Sequence, residues 1–342
     1  MDLQIALLLG QDGIVNGAIY GLMAVALVLV FSVTRIIFIP QGEFVAYGAL
    51  TMAMMQAGKT PSTLWLLLVM AAVALVAELW RARSSQGGSW PATLLWCIGF
   101  PAVAAVLALG VKPSSLLLQS ITALVLVMPM GPLLYRVAYR PVANASVLLL
   151  LIISVALHGV LVGLGLLFFG AEGSRTTPFS ESKFDIADIS ISGQSLVVLG
   201  VALVLVISLF VFFERSMLGK ALRATAINRV GARLMGIPTA LAGDLSFALA
   251  ALIGAISGLL IAPLTTVYYD TGFMVGLKGF VAAIIGGLAS YPLALAGALL
   301  VGLLESFSTF WASAYKEVLV FAMIIPVLWW RSRNSRHVEE EE

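Results

Sequence analysis

Cysteine is nearly missing from this sequence. A single one, Cys97, lies inside an apolar run, which excludes a disulfide framework and a cysteine metal site. Histidine is almost as rare: His158 and His337 are far apart in sequence, so no paired-histidine metal site is spelled out. There is no HExxH and no GxSxG elbow, so an intramembrane hydrolase would lack its catalytic constellation. No Walker A loop occurs either; Gly286-Gly287 runs into Leu288 rather than Lys-Ser/Thr, and the chain cannot bind ATP in the usual way. The amino terminus has no basic region ahead of its apolar run, so no cleaved signal peptide is expected. Charge is the last scarcity. Only 11% of the 342 residues are charged, against 61% hydrophobic, and the mean hydropathy is +1.06. No soluble domain of this length hides so much apolar side chain, so the chain is a polytopic membrane protein.

What is present is a succession of apolar runs, each near the roughly 20 residues that cross ~30 Å of hydrocarbon. They are Gly13–Val33, Phe38–Ala57, Ser62–Trp80, Pro91–Leu109, Ser115–Tyr135, Ala145–Gly170, Gln194–Phe213, Ala240–Ala262, Gly276–Gly287, Leu293–Trp311 and Lys316–Trp330. The expected fold is all-α, a polytopic transmembrane helical bundle of about ten or eleven spans, forming one membrane domain over 1–342. Gly276–Gly287 is short for a span and reads as a half-helix or a tilted, broken one. Phe38–Ala57 carries Pro40, Gly42, Glu43 and Gly48, so it is expected to start irregularly; Leu3–Gly10 reads as an interfacial stub. Small residues crowd two spans: Ala248, Ala250, Ala251, Gly254, Ala255, Ser257 and Gly258 in one, Gly297, Ala298 and Gly302 in the other. Such faces let helices pack closely in lipid.

Lys and Arg set the orientation. Arg81 with Arg83, Arg136 with Arg140, the loop 214–239, and Arg331, Arg333 and Arg336 are expected inside the cell. The loop 171–193 carries Glu172, Glu181, Asp185 and Asp188 against Arg175 and Lys183, and is expected outside. Within it FDIADISISG alternates apolar and polar residues, as a short hairpin or a surface helix would. The alternation places the amino terminus outside and the carboxyl terminus inside, with the parity resting on Gly276–Gly287. The closing HVEEEE reads as a solvated tail.

The longest polar island is Phe213–Pro238, where Arg215, Lys220, Arg223, Arg229 and Arg233 face one acid, Glu214. Lys220–Leu234 has the spacing of a short amphipathic helix, with Leu222, Ala226, Val230 and Leu234 along one side. Two readings fit this pattern: a helix that docks into a groove on a soluble partner, or one that anchors the loop to lipid headgroups. Two carboxylates break the apolar rule, Glu43 in IPQGEFVAYG and Glu305 in VGLLESFSTF. A carboxylate in a membrane is costly unless paired, protonated or facing water. Glu43 and Glu305 therefore line or gate a central pathway, or else Glu43 is interfacial and Glu305 a protonated packing residue bonded to nearby serines. Asp244 and Lys278 read as interfacial residues near span ends, and His158 as a hydrogen-bonded packing residue.

Four stretches, in order, carry a family resemblance: NGAIYGLMAVALVLVFSVTRIIFIPQGEFVAYGAL, YRVAYRPVANASVLLLLIISVAL, SMLGKALRATAINRVGARLMGIPTALAGDLSFALAALIGAISGLL and GLKGFVAAIIGGLASYPLALAGALLVGLLESFSTFW. Together they cover about two-thirds of the chain and resemble the permeases of branched-chain amino acid ABC importers, the third stretch being the most specific. The chain departs from that family's pattern in three places. Phe38-Ile39-Pro40-Gln41-Gly42 stands where many members read Asn-Phe-Ala-His-Gly, Ile227-Asn228 replaces the usual acids after the Arg-Ala-Thr-Ala run, and Pro61–Lys112 is long enough to add a pair of spans. The resemblance implies half of a translocation pore for branched-chain or related amino acids, in a bacterial inner membrane. It implies a soluble ABC ATPase, a second permease subunit, identical or related, and an extracytoplasmic substrate-binding protein as partners, with the lipid bilayer and without nucleic acid. ATP would be used by the partner, so the chain itself would be no enzyme and hold no cofactor. Lys220, Arg223, Ala224, Arg229, Arg233 and Gly236 would couple to the ATPase through a short cytoplasmic helix, and Gln41, Gly42, Glu43 and Glu305 would serve the pathway or gate. The rival classes are a stand-alone secondary transporter or channel, for which Glu43 and Glu305 are the only ion-coordinating candidates, and an ABC permease for urea or a small aromatic acid.

Overall fold

The computed structural model describes residues 3–83, 90–111, 115–186 and 189–334. Asp188, Lys112, Arg336, His337 and the acidic tail lie outside the described residues.

In chain order the helices are α1 (Leu3–Thr34), α2 (Gln41–Gln56), α3 (Thr63–Arg83), α4 (Trp90–Gly110), α5 (Leu116–Val142), α6 (Val147–Phe169), α7 (Gly193–Arg215), α8 (Met217–Ile227), α9 (Arg229–Leu234), α10 (Thr239–Ile261), α11 (Thr271–Ile285), α12 (Tyr291–Ala312), α13 (Lys316–Ala322) and α14 (Ile324–Asn334). Eight helical segments among the described residues are long and apolar enough to cross a membrane, the last being the 40-residue composite Tyr291–Trp330. Each of the apolar runs read from the sequence falls on a helix. The count of eight is lower than ten or eleven because α2 and α11 are short, with 16 and 15 residues, and because α12 to α14 run on through a 3₁₀ turn at Ser313–Tyr315. Leu3–Gly10 is no separate stub; it forms the first turns of the 32-residue α1.

α1 and α10 form the centre, with 78% of each apolar window buried, whereas α6 and α7 lie outside with 17%. The crowded small residues explain why α10 is central. Ala248, Ala250, Ala251, Gly254, Ala255, Ser257 and Gly258 are all buried, and a Cβ on Gly48 of α2 would stand 2.7 Å from the carbonyl oxygen of Ala255. α1 crosses α12 in the same way: a Cβ on Gly17 would stand 2.9 Å from the Cα of Leu299. Lipid tails are as apolar as leucine, so backbone-to-backbone approach and its dispersion energy hold such helices together.

The irregular start of the second span is real and deeper than expected. Ile36–Pro40 is non-helical and buried up to Phe38, whose ring meets Phe247 at 4.8 Å. Gln41 opens α2 by donating from Nε2 to the carbonyl of Ala250 at 2.8 Å, halfway along the 23-residue α10. α2 thus begins level with the middle of α10, and its 16 residues extend only about 24 Å. α11 is its counterpart. Its first turn meets the first turn of α2, and a Cβ on either Gly42 or Gly272 would collide with the other's carbonyl. Two short helices therefore meet at their amino ends inside the bundle.

Of the two readings of the FDIADISISG segment, the hairpin is the one observed: β1 (Lys183–Ile186) pairs antiparallel with β2 (Ile189–Ser192). The loop is tied down by a bridge between Ser174 and Val267 and by Arg175, which donates from Nε to the carbonyl of Pro263 at 3.0 Å.

Gly17→Val is expected to lower the stability of the purified protein in detergent by about 1–3 kcal/mol, because the α1–α12 crossing has no room for a branched side chain. Gly200→Val, on α7 with nothing within 4 Å of its Cβ position, should leave the unfolding temperature unchanged in the same assay.

Candidate functional site

The polar island after α7 folds into two helices and not one. The continuous helix expected over Lys220–Leu234 breaks at Asn228, whose backbone is extended (φ −147°, ψ 100°). The cause is local: the Asn228 side chain accepts from the Gly231 N–H at 2.8 Å, so it ends α8 and caps α9. Ser216 does the same for α8, accepting from Gly219 at 2.9 Å. Gly236, at φ +79°, closes α9: its N–H bonds the Arg233 carbonyl, and Ile237 N–H bonds the Ala232 carbonyl. This is the left-handed helix stop that glycine makes most cheaply.

The break rotates the apolar row. Leu222 is buried with Leu29, Val33 and Ala242, while Val230 is 70% and Leu234 83% exposed. Ile227 and Met235 stand out beside them. The basic residues divide by task. Arg223 donates to Glu214 at 2.8 Å and to the carbonyl of Phe213 at 2.6 Å, and Arg229 donates to the carbonyl of Ala143 at 3.3 Å, so both hold the loop in place. Lys220 and Arg233 are exposed, and Ala224 lies half-buried on α8 between the packed and open faces.

Inside the bundle, the carboxylates have partners that are remote in sequence. Glu305 on α12 is buried; its Oε2 accepts from the Tyr20 hydroxyl and its Oε1 from Lys278 Nζ, each at 2.6 Å. Lys278 also reaches Glu317 at 3.2 Å and lies 5.7 Å from the Tyr20 ring centre. Of the two readings of Glu305, the one that bonds it to nearby serines gives way to an ion pair with Lys278, joined by the Tyr20 hydroxyl. Lys278, read as interfacial, is only 6% exposed. Asp244, read the same way, is 3% exposed and receives the guanidinium of Arg136 through both carboxylate oxygens, with Nε–Oδ1 at 3.1 Å. Arg136 is itself buried on a π-helical turn, Tyr135–Tyr139, and its remaining arm donates to Thr93 at 2.9 Å. Hydrocarbon explains all of these corrections: a charge near a span end stays at the surface only if no counter-charge waits inside.

Glu43 is fully buried in the first turn of α2, with Oε1 at 2.9 Å from His158 Nδ1 on α6. His158 stacks on Phe273 of α11 at 4.3 Å between ring centres. Its packing role is thus confirmed, and its partner is the very carboxylate that the sequence singled out. Gln41 and Gly42 adjoin Glu43 where α2 meets α10 and α11. Glu305 is not brought beside them; it is linked to that junction through Lys278 on the same α11. Sequence reasoning missed these pairings, although Glu43, Asp244 and Glu305 each had a base available on another helix, in His158, Arg136 and Lys278.

A bundle of membrane-length helices, two shorter helices meeting at its centre, and a basic loop that exposes apolar side chains define a multi-pass membrane protein. The family model described as "Branched-chain amino acid transport system / permease component" matches residues 93–328. The permease protein LivH of the high-affinity branched-chain amino acid transport system of Salmonella typhimurium is 31% identical over 240 residues, covering 68% of this chain and 78% of LivH. BraD, the permease protein of the high-affinity branched-chain amino acid transport system of Pseudomonas aeruginosa, is 27% identical over 234 residues, 66% of this chain and 76% of BraD. A structure of PsaBC from Streptococcus pneumoniae in complex with Fab overlaps 93% of this chain and 90% of its own at 13% identity, but its TM-score of 0.39 is too low to carry an argument. The chain belongs to the branched-chain amino acid transport system permease family, and it is a multi-pass inner-membrane protein.

Asp244→Ala is expected to destabilise the protein by about 3–5 kcal/mol, because Arg136 is left buried and unpaired. Arg136→Met combined with Asp244→Leu should recover most of that loss, as measured by thermal unfolding in detergent.

Proposed function

We propose that this chain forms half of the translocation pore of an ABC importer for branched-chain or related amino acids. A separate soluble ATPase binds and hydrolyses ATP and docks on α8–α9. A second permease subunit completes the pore, and an extracytoplasmic binding protein delivers the solute. The solute class is carried over from the relatives' names. The observation that supports docking over lipid anchoring is the division of labour in the loop. Arg223 and Arg229 are spent on holding it rigid, which a mere lipid anchor does not need, and the row Ile227, Val230, Leu234 and Met235 is left exposed beside Lys220 and Arg233. A rigid, helical, apolar ridge with a basic rim suits a groove on a partner.

The pathway or gate is proposed at Gln41, Gly42, Glu43 and Glu305. α2 and α11 are joined there by glycine contact, and each carries one polar link to an outer helix: Glu43 to α6, Lys278 to α12. Opening the pore requires the two short helices to part or tilt, and these links set how far they travel.

Val230→Asp with Leu234→Asp should abolish co-purification of the ATPase and solute-stimulated ATP hydrolysis while leaving the permease in the membrane; an intact complex would refute docking on this ridge. Glu305→Gln keeps shape and hydrogen bonding but removes the charge that holds Lys278. Uptake in reconstituted vesicles should fall at least about tenfold with the ATPase still bound, and wild-type uptake would assign Glu305 to packing alone.

A further inference from the structure

A cleft of about 940 Å³ opens where the basic ends of α3 and α5 lie side by side. Arg81, Arg83 and Arg140 line it, with Trp80 and Asn144 at its edge. Glu78, buried behind it, takes Arg81 at 2.9 Å and Arg140 at 2.8 Å on one carboxylate oxygen. Arg81 also donates to the backbone carbonyl of Arg136 at 2.8 Å, which locks the two helix ends together. One carboxylate thus serves two guanidiniums, and Arg83 has no carboxylate partner among the described residues. The cleft is left with an excess of about two positive charges on a pre-arranged, arginine-built wall.

This cleft continues into hydrocarbon. Val137 lines both it and an apolar groove of about 180 Å³ whose walls include Val69, Val73, Leu133 and Phe168. Val69, Val73, Ala77 and Trp80 share one face of α3, so a single helix stripe leads from groove to cleft. Trp80 and Val69 are separated along that helix by about 16 Å, close to half of the ~30 Å hydrocarbon core. The combination excludes a purely soluble anion as the natural occupant, because a free phosphate or a nucleotide has nothing to place in the groove. An apolar molecule alone leaves the arginines uncompensated. Only an amphiphile with a negative head fills both parts. The clustered arginines put this end of the bundle on the cytoplasmic side, where anionic headgroups draw basic residues at the surface.

We infer that the α3–α5 crevice is a binding site for an anionic phospholipid of the cytoplasmic leaflet, with its phosphodiester against Arg81, Arg83 and Arg140 and one acyl chain along Val73 and Val69. Trp80, 76% exposed, marks the interface level. The site is distinct from the α8–α9 ridge and from the half-helix junction, and it holds whatever solute is carried.

The full-length permease, purified in neutral detergent, is presented with phosphatidylglycerol or phosphatidylcholine of identical acyl chains, and retained lipid is counted by native mass spectrometry. Phosphatidylglycerol should be retained at least about fivefold better, and Arg83→Gln should remove about fivefold of that preference, the weight of one surface arginine. Arg83 holds no ion pair among the described residues, so this variant should unfold at the wild-type temperature. Val73→Trp, which fills the groove, should reduce retention of both lipids; Val69→Trp replaces it if that variant unfolds early. Equal retention of the two lipids, or an unchanged preference in Arg83→Gln, would overturn the proposal. Displacement of phosphatidylglycerol by millimolar inorganic phosphate would make this a soluble-anion site and overturn it as well. Loss of ATPase co-purification in Arg83→Gln, with lipid preference intact, would assign the cleft to a protein partner instead.

Discussion

A charge placed in hydrocarbon must bring its counter-charge with it, and this bundle is arranged around that requirement. Arg136 with Asp244 fastens α5 to α10, Lys278 with Glu305 fastens α11 to α12, and Tyr20 adds α1 to the second pair. Glu43 with His158 fastens α2 to α6. Arg136–Asp244, Glu43–His158 and Tyr20–Glu305 join helices far apart in the chain, so each fixes a pairing that the hydrophobic effect, weak between helices in lipid, does not select, while Lys278–Glu305 ties two consecutive helices. Close backbone contact then supplies the packing energy. The glycines of α1, α2 and α10 allow that contact, and the polar pairs determine which helices make it.

Much of this was legible in the sequence. Every apolar run became a helix, and Pro40-Gln41-Gly42 correctly announced an interrupted start, because proline and glycine act through local backbone geometry. Gly276–Gly287 was also recognisable as a short element, for the hydrocarbon thickness sets a length that needs no tertiary information. The positions of Asp244 and Lys278 were not legible. Their distance from the ends of the apolar runs was right, but burial depends on whether Arg136 and Glu305 lie across a helix interface, and that is a property of the assembled bundle. The break at Asn228 was overlooked for a different reason. Apolar spacing alone supports a continuous helix, and the competing signal was the capping side chain of Asn228 itself, with Gly231 three residues on.

In the proposed importer, a push at the loop between α7 and α10 would reach the pore through a short chain of contacts. Leu222 of α8 is buried against Leu29 and Val33 of α1 and Ala242 of α10. Those two helices are the most buried of the eight membrane-length segments, and two polar centres hang on them: Tyr20 of α1 touches Glu305, while the backbone of α10 at Ala250 holds Gln41. A displacement of α8 therefore acts first on the helices that position the α2–α11 junction and only afterwards on the lipid-facing α6. Sliding α1 against α12 is resisted where Gly17 packs on Leu299, with no side chain between the backbones to deform. Rigid tilting of α1 and α12 together is the motion least opposed by that contact. It carries Glu305 with it and loads the bond to Lys278 on α11. In the proposed importer, the Lys278–Glu305 pair is the point at which movement of the bundle's centre is handed to the short helix that meets Gly42.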